Sequence, residues 1–205
     1  MTSAYEEALA APELLELARD ASSPTNPEAR RVFVRELAGR YSEIYKSIFA
    51  APRVIHSRDA KYGGGPQHYN KNVIDPTSPD ASQLFHCHIE LMAPGARSQK
   101  HGHMNTAVFY ILEGEGLDVH DGVEIPWKAG DIAIVEPGCV HQHFNLDRES
   151  HAKMLVMKAK PLYLFANLGF QGFVEASPKE PVPGFEHYLP DEIAAQGGPV
   201  TGGGE

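Results

Sequence analysis

Two histidines stand one residue apart in the run His101-Gly102-His103, and a third, His141, returns beyond a Gly130-Asp131 pair and an alternating apolar stretch from Ile132 to Val135. No other feature constrains the chain as much. Side chains two apart on a strand leave the same face, so a strand through His101 and His103 presents both rings together. A second strand of the same small barrel brings His141 to them. Three neutral imidazoles can hold a divalent transition metal and leave positions open for further ligands.

The surroundings of these histidines repeat a known frame. Gly95 precedes the His-x-His pair and Gly114 closes the strand after it. Gly130 and Asp131 open the second half, Gly138 turns the chain, and His141 and Asn145 follow. This arrangement resembles the two motifs of the cupin family, with Glu136 standing where the first proline of the second motif is usual. One departure matters. The position at which most cupins place a glutamate ligand is Ala107, or Val108 in a looser alignment, and neither side chain binds metal. The resemblance implies an all-β fold, a single cupin jelly-roll barrel, with His101, His103 and His141 as the metal ligands.

The rest of the chain reads as additions to that barrel. Ser3 to Glu6 resembles a capping box opening a helix to about Arg19. Asn26-Pro27 starts a second helix, whose apolar stripe is Phe33, Leu37, Tyr41, Ile44 and Ile48. Residues 1–50 are therefore expected to form a helical extension, packed on the barrel or on a second subunit, with a homodimer as the expected assembly. The barrel is assigned to 51–176. Residues 177–205, rich in Pro, Gly and charge, are expected to form a partly disordered tail.

Within the barrel, a first strand is expected over Arg53 to Ser57. Lys61 to Lys71 holds three consecutive glycines and a proline and reads as a mobile loop, with His68 and Tyr69 able to line a pocket mouth. Gln83 to Met92 alternates, with His86, His88 and Glu90 on one face and Cys87, Ile89 and Leu91 on the other. The common arrangement for such a strand turns the polar face to water; the alternative turns His88 and Glu90 into the cavity near the metal. Strands are also expected over Thr106 to Leu112, on both sides of the Asp121-Gly122 turn, and over His151 to Lys158. Pro161 to Phe173 is expected to cover one barrel end.

Composition narrows the function. The 205 residues carry a net charge of -9, which argues against a nucleic-acid or anionic-membrane partner. No apolar run reaches the roughly 18 residues of a membrane span. The N-terminus carries Glu6 and Glu7 instead of a basic segment followed by an apolar run, so a cytoplasmic protein is expected. The two cysteines, Cys87 and Cys139, do not make a disulfide framework.

His143 shares a face with His141 and is read as the catalytic group, touching substrate or a bound oxygen species; the other reading makes it a fourth ligand. Phe109, Asn105, His88 and Tyr69 are the candidate substrate-binding residues. Imidazole ligands suit Fe, Mn, Ni, Cu or Zn. Without a carboxylate ligand the ion keeps its dipositive charge and favours an anionic, chelating substrate.

The sequence is similar here to the gentisate and salicylate ring-cleaving dioxygenases among the cupins. The similarity lies in Asn105-Thr-Ala-Val108 after the His-x-His pair and in His141-Gln-His-Phe-Asn145. Phe109 stands where those enzymes tend to carry an arginine. The resemblance implies an Fe(II) dioxygenase acting with O2 on a small aromatic or enolisable oxo substrate. Two other classes compete with it. One is a lyase, isomerase or hydrolase using Zn, Mn or Ni; the other is a non-enzymatic small-molecule-binding cupin. Oxygen uptake separates the first class from the others.

Overall fold

The computed structural model describes residues 50–77, 82 and 84–200. The two expected N-terminal helices lie outside the described residues. The described strands are β1 (Gly63–Gly64), β2 (His68–Ile74), β3 (His86–Met92), β4 (Lys100–His103), β5 (Ala107–Glu113) and β6 (Glu115–His120). They continue with β7 (Val123–Lys128), β8 (Ile132–Val135), β9 (Val140–Asn145), β10 (Ala152–Lys158) and β11 (Gln171–Glu175). Two sheets result, ordered β1-β2-β3-β10-β5-β8 and β11-β4-β9-β6-β7. All pairings of these strands are antiparallel, and the two sheets make a jelly-roll fold.

Alternation decides what faces the interior. In the first sheet β10 aligns Met154 with Glu90 and Val156 with His88 on one side, and with Ile111 and Phe109 on the other. Phe109, Ile111, Met154 and Val156 are buried and form one cluster with Met92, Val135 and Trp127. Burying each of the large side chains contributes about 1.5–3 kcal/mol. Trp127 also explains Gly116. A Cβ at that position lies 2.2 Å from the Phe144 carbonyl oxygen and 2.3 Å from the indole ring. The β6–β7 turn forms as expected: Asp121 and Gly122 have φ of 47° and 88°, the two left-handed residues that a tight hairpin requires.

Several expectations change. Arg53 to Ser57 is not a strand; a short 3-10 turn, Ser57–Asp59, takes its place. The glycine-rich segment is a hairpin, because Gly63 and Gly64 pair with Asn70 and Tyr69. The polar face of β3 turns inward, with His86, His88 and Glu90 all buried. The interior at this end of the barrel is itself polar, so the usual sense of alternation is reversed. Lys160–Phe165 is a short helix, α1, and the aromatic segment after it leads into β11, which joins β4 as an edge strand.

Nor do residues 177–200 form a loose tail. Val182 and Ile193 are buried, and Ile193, in helix α2 (Asp191–Ala195), packs with Tyr62, Tyr69 and Leu91 on the outer face of the first sheet. The Gln196 side chain accepts from the Tyr62 N–H (2.9 Å) and donates to the Tyr62 carbonyl (2.8 Å). A few apolar anchors and one bidentate amide hold this segment despite its Pro, Gly and charge. Among the described residues no helix is long and apolar enough to cross a membrane.

Candidate metal centre

His101 and His141 are direct cross-strand partners on β4 and β9, and His103 follows His101 on the same face. Their ring centroids are separated by 4.4 Å (His101–His141), 4.9 Å (His103–His141) and 5.4 Å (His101–His103). One ligand nitrogen from each ring lies within 4.8 Å of the others, and that group holds three imidazoles and no carboxylate. The rings are oriented by their own turns. His103 Nδ1 donates to the Asn105 carbonyl (2.6 Å) and His141 Nδ1 donates to the Cys139 carbonyl (3.2 Å). Both tautomers therefore leave the lone pair on Nε2, the arrangement that metal-binding histidines use. His141 Nε2 is buried with no hydrogen-bond partner. Burial, with the His143 and His101 rings, pushes the His141 pKa down to about 2, so the ring stays neutral and ready to ligate. The donor set fits a divalent transition metal.

Behind the triad stands Asp118, 1% exposed. It accepts from His143 Nδ1 (2.8 Å) and from Trp127 Nε1 (2.7 Å), and its other oxygen lies 3.6 Å from His120 Nε2. Burial alone raises its pKa; the His143 imidazole, with His120 and Trp127, outweighs burial and holds the carboxyl well below the usual range. Burial opposes a charge on His143, but Asp118 prevails and raises it. His143 also packs against Phe109, with centroids 4.6 Å apart.

A second buried carboxylate has the same environment. Glu90, 4% exposed, accepts from His88 Nε2 (2.9 Å) and lies 3.1 Å from His68 Nε2. Burial pushes its pKa up, and the two imidazoles together pull it well below the ordinary value. His68 and Asn70 line a cavity of about 430 Å³ with Gln99, Phe173, Ser177 and Lys179. Phe173 stacks on the His101 ring at 5.8 Å, so this cavity adjoins the triad.

The expected substrate residues divide. Phe109 and His88 face the interior. Asn105 is buried and acts through its backbone, since its carbonyl orients His103. Tyr69 points the other way, into the outer cluster with Tyr62, Leu91 and Ile193; its neighbour His68 takes the place at the cavity. Cys139 joins a different group, with His120 and Glu136. The sequence reading missed Asp118, His120, Gln99 and Phe173. A signal for the first two was present. In β6 the apolar Leu117 and Val119 alternate with Gly116, Asp118 and His120, and Asp118 and His120 pair directly with His143 and His141. A strand facing a histidine-bearing strand turns its polar face to those histidines.

Residues 88–158 match the model of the cupin domain family. Over 76 residues the chain is 28% identical to a 5-aminosalicylate 1,2-dioxygenase from a Comamonas species, a match that covers 37% of this chain and 19% of that protein. It thus spans about a fifth of the length of that curated relative. A single-substitution variant of salicylate 1,2-dioxygenase from Pseudoaminobacter salicylatoxidans superposes at a TM-score of 0.49 and 17% identity, over 55% of this chain and 32% of that one. An RmlC-like cupin from Shewanella frigidimarina superposes at 0.45 and 17% identity, over 53% of this chain and 91% of that one.

Proposed function

We propose that this chain, a cupin by its barrel and by the match over residues 88–158, is an Fe(II)-dependent dioxygenase acting on a small aromatic or enolisable oxo substrate. The observation that carries this reading is the triad: His101, His103 and His141 converge without a carboxylate, and backbone carbonyls fix two of the three lone pairs. The similarity to a ring-cleaving relative points the same way. Iron held by His101, His103 and His141 would supply redox chemistry with O2, and binding the substrate beside it would let proximity carry much of the rate.

The chain's own residues supply the rest. The cavity beside Phe173 admits the substrate, with His68, Asn70 and Gln99 as its polar lining. Phe109 gives an apolar wall that excludes water and packs against His143. His143, held by Asp118, carries a proton on Nδ1. Its ring centroid lies 5.3 Å from that of His141, which supports a role in which a proton on Nε2 is donated to a substrate oxygen while the Nδ1 proton stays with Asp118.

The test is elemental analysis of protein purified without oxygen, followed by Fe(II) reconstitution. Oxygen uptake is then measured with gentisate, salicylate, catechol and diketone compounds. Uptake that depends on Fe(II) and is lost in His103→Ala supports the proposal. Turnover under nitrogen, or full activity with Zn and no oxygen consumption, refutes it.

A further inference from the structure

On the far side of His141 from the cavity described above lies a second group of potential metal ligands. His120 ends β6, and Glu136 and Cys139 lie in the turn between β8 and β9. One ligand atom from each residue lies within 4.8 Å of the other two. The three residues share a groove of about 450 Å³ with Asp121, Pro137 and Gly138. We propose that His120, Glu136 and Cys139 form a second divalent-metal site, distinct from the histidine triad, that takes a thiophilic ion such as Zn(II).

The donor chemistry supports this assignment. One thiolate, one imidazole and one carboxylate, with a fourth position open to the groove, match the tetrahedral preference of zinc. At the bond lengths zinc makes to nitrogen and sulfur, such donors stand about 3.5 Å apart. The His120–Glu136 pair, 3.1 Å apart, is already that close; any donor at the 4.8 Å limit must close by about 1.3 Å, a movement open to Glu136, whose side chain is 62% exposed. His120 is 5% exposed and already positioned: Nδ1 donates to Glu136 Oε2 (3.1 Å), and Nε2 faces Asp118 Oδ2 (3.6 Å), the carboxylate-backed arrangement that orients metal-binding imidazoles. A metal that binds there replaces Glu136 as the partner of Nδ1. The Nδ1 proton leaves to solvent where the ring is charged and otherwise shifts to Nε2, so that the bound imidazole holds one proton, on Nε2, towards Asp118. Asp121 adds a further negative charge beside the groove, where its Oδ1 accepts from the Val140 N–H (3.0 Å). Binding exchanges the Cys139 thiol proton, released to solvent, for a sulfur–metal bond.

The site also shares a wall with the triad. The Cys139 carbonyl accepts from His141 Nδ1, and the Gly138 N–H donates to the His103 carbonyl (2.9 Å).

The proposal does not depend on the dioxygenase reading, and its test needs no substrate. Protein stripped by a chelator is titrated with Co(II), both as the wild type and as the His101→Ala/His103→Ala double variant. The near-ultraviolet thiolate-to-cobalt charge-transfer band is followed. The expected result is a band that saturates near one equivalent in the double variant and by two equivalents in the wild type, where the triad also takes cobalt; it persists in Cys87→Ser and is lost in Cys139→Ser. Glu136→Gln, a change at an exposed side chain that leaves folding alone, weakens cobalt binding at this site about tenfold or more. A missing band in both parent proteins, a band that survives Cys139→Ser, or unchanged affinity in Glu136→Gln overturns the proposal. In the last case Glu136 is not a ligand and only braces the turn through its hydrogen bond with His120.

Discussion

Replacing Asp118 by asparagine changes one atom and one charge and leaves the volume intact, so it isolates what the carboxylate does. Asp118 receives two short hydrogen bonds, 2.8 Å from His143 and 2.7 Å from Trp127. A hydrogen bond to a charged group contributes about 1.5–3 kcal/mol, against about 0.5–1.5 for a neutral pair. Losing the charge from two such bonds therefore costs about 2 kcal/mol, provided the amide oxygen still accepts from both donors. For a chain of this size that is a fall in Tm of about 4–8 °C. The sign of the pH dependence follows from the direction of the shift. The carboxyl pKa is depressed in the folded protein, so its contribution is fully present above the unfolded value of about 3.9 and is lost as pH falls through the folded one. The Asp118→Asn penalty is expected to be largest near neutrality and to shrink below about pH 3.9. Urea unfolding of metal-stripped wild type and variant at a series of pH values measures it. A penalty under about 0.5 kcal/mol, or one as large at pH 3 as at pH 7, refutes the argument, because the carboxylate then adds nothing that a neutral acceptor does not.

Three further outcomes are expected. His103→Ala loses most of its bound metal while keeping the wild-type far-ultraviolet circular dichroism, since the barrel is held by the apolar cluster around Phe109 and Met154; wild-type metal content by elemental analysis contradicts the assignment. His143→Ala keeps its metal and loses rate by about 10²-fold or more, the lower end of what a positioned proton donor supplies; loss of metal makes His143 a ligand. Gly116→Ala forces a Cβ against the Phe144 carbonyl and the Trp127 ring and is expected to cost about 1–3 kcal/mol, read by denaturant midpoint; a neutral result means that Trp127 can move freely.

The triad was legible because a metal site imposes spacing. His-x-His on one strand and His141 on another admit few readings once Gly and Pro fix the turns. The polar interior was harder to read. Strand β3 carries an ordinary alternation, and only its neighbours decide which face is inside. It pairs with β10, whose Met154 and Val156 lie next to Glu90 and His88, so the polar row must enter the barrel with them. The packing of residues 177–200 was illegible for a different reason. Ile193 and Gln196 dock on Tyr62, more than a hundred residues away in the chain, and local composition carries no trace of such a partner.

The two buried carboxylates revise the electrostatics that a bare three-histidine count implies. Glu90 and Asp118 do not join the ligand group, yet each is bracketed by two imidazoles that hold its pKa down, His68 and His88 in one case, His143 and His120 in the other. Charge that does not ligate still acts through the low-dielectric interior, where interactions fall off slowly with distance. An ion held by the triad would therefore have part of its charge balanced from behind. The preference for an anionic chelate that the proposed metal site would have is accordingly weaker than three neutral ligands alone dictate. On the Phe173 side the described lining of the cavity holds amides, His68 and Lys179, with the Glu90 carboxylate behind His68.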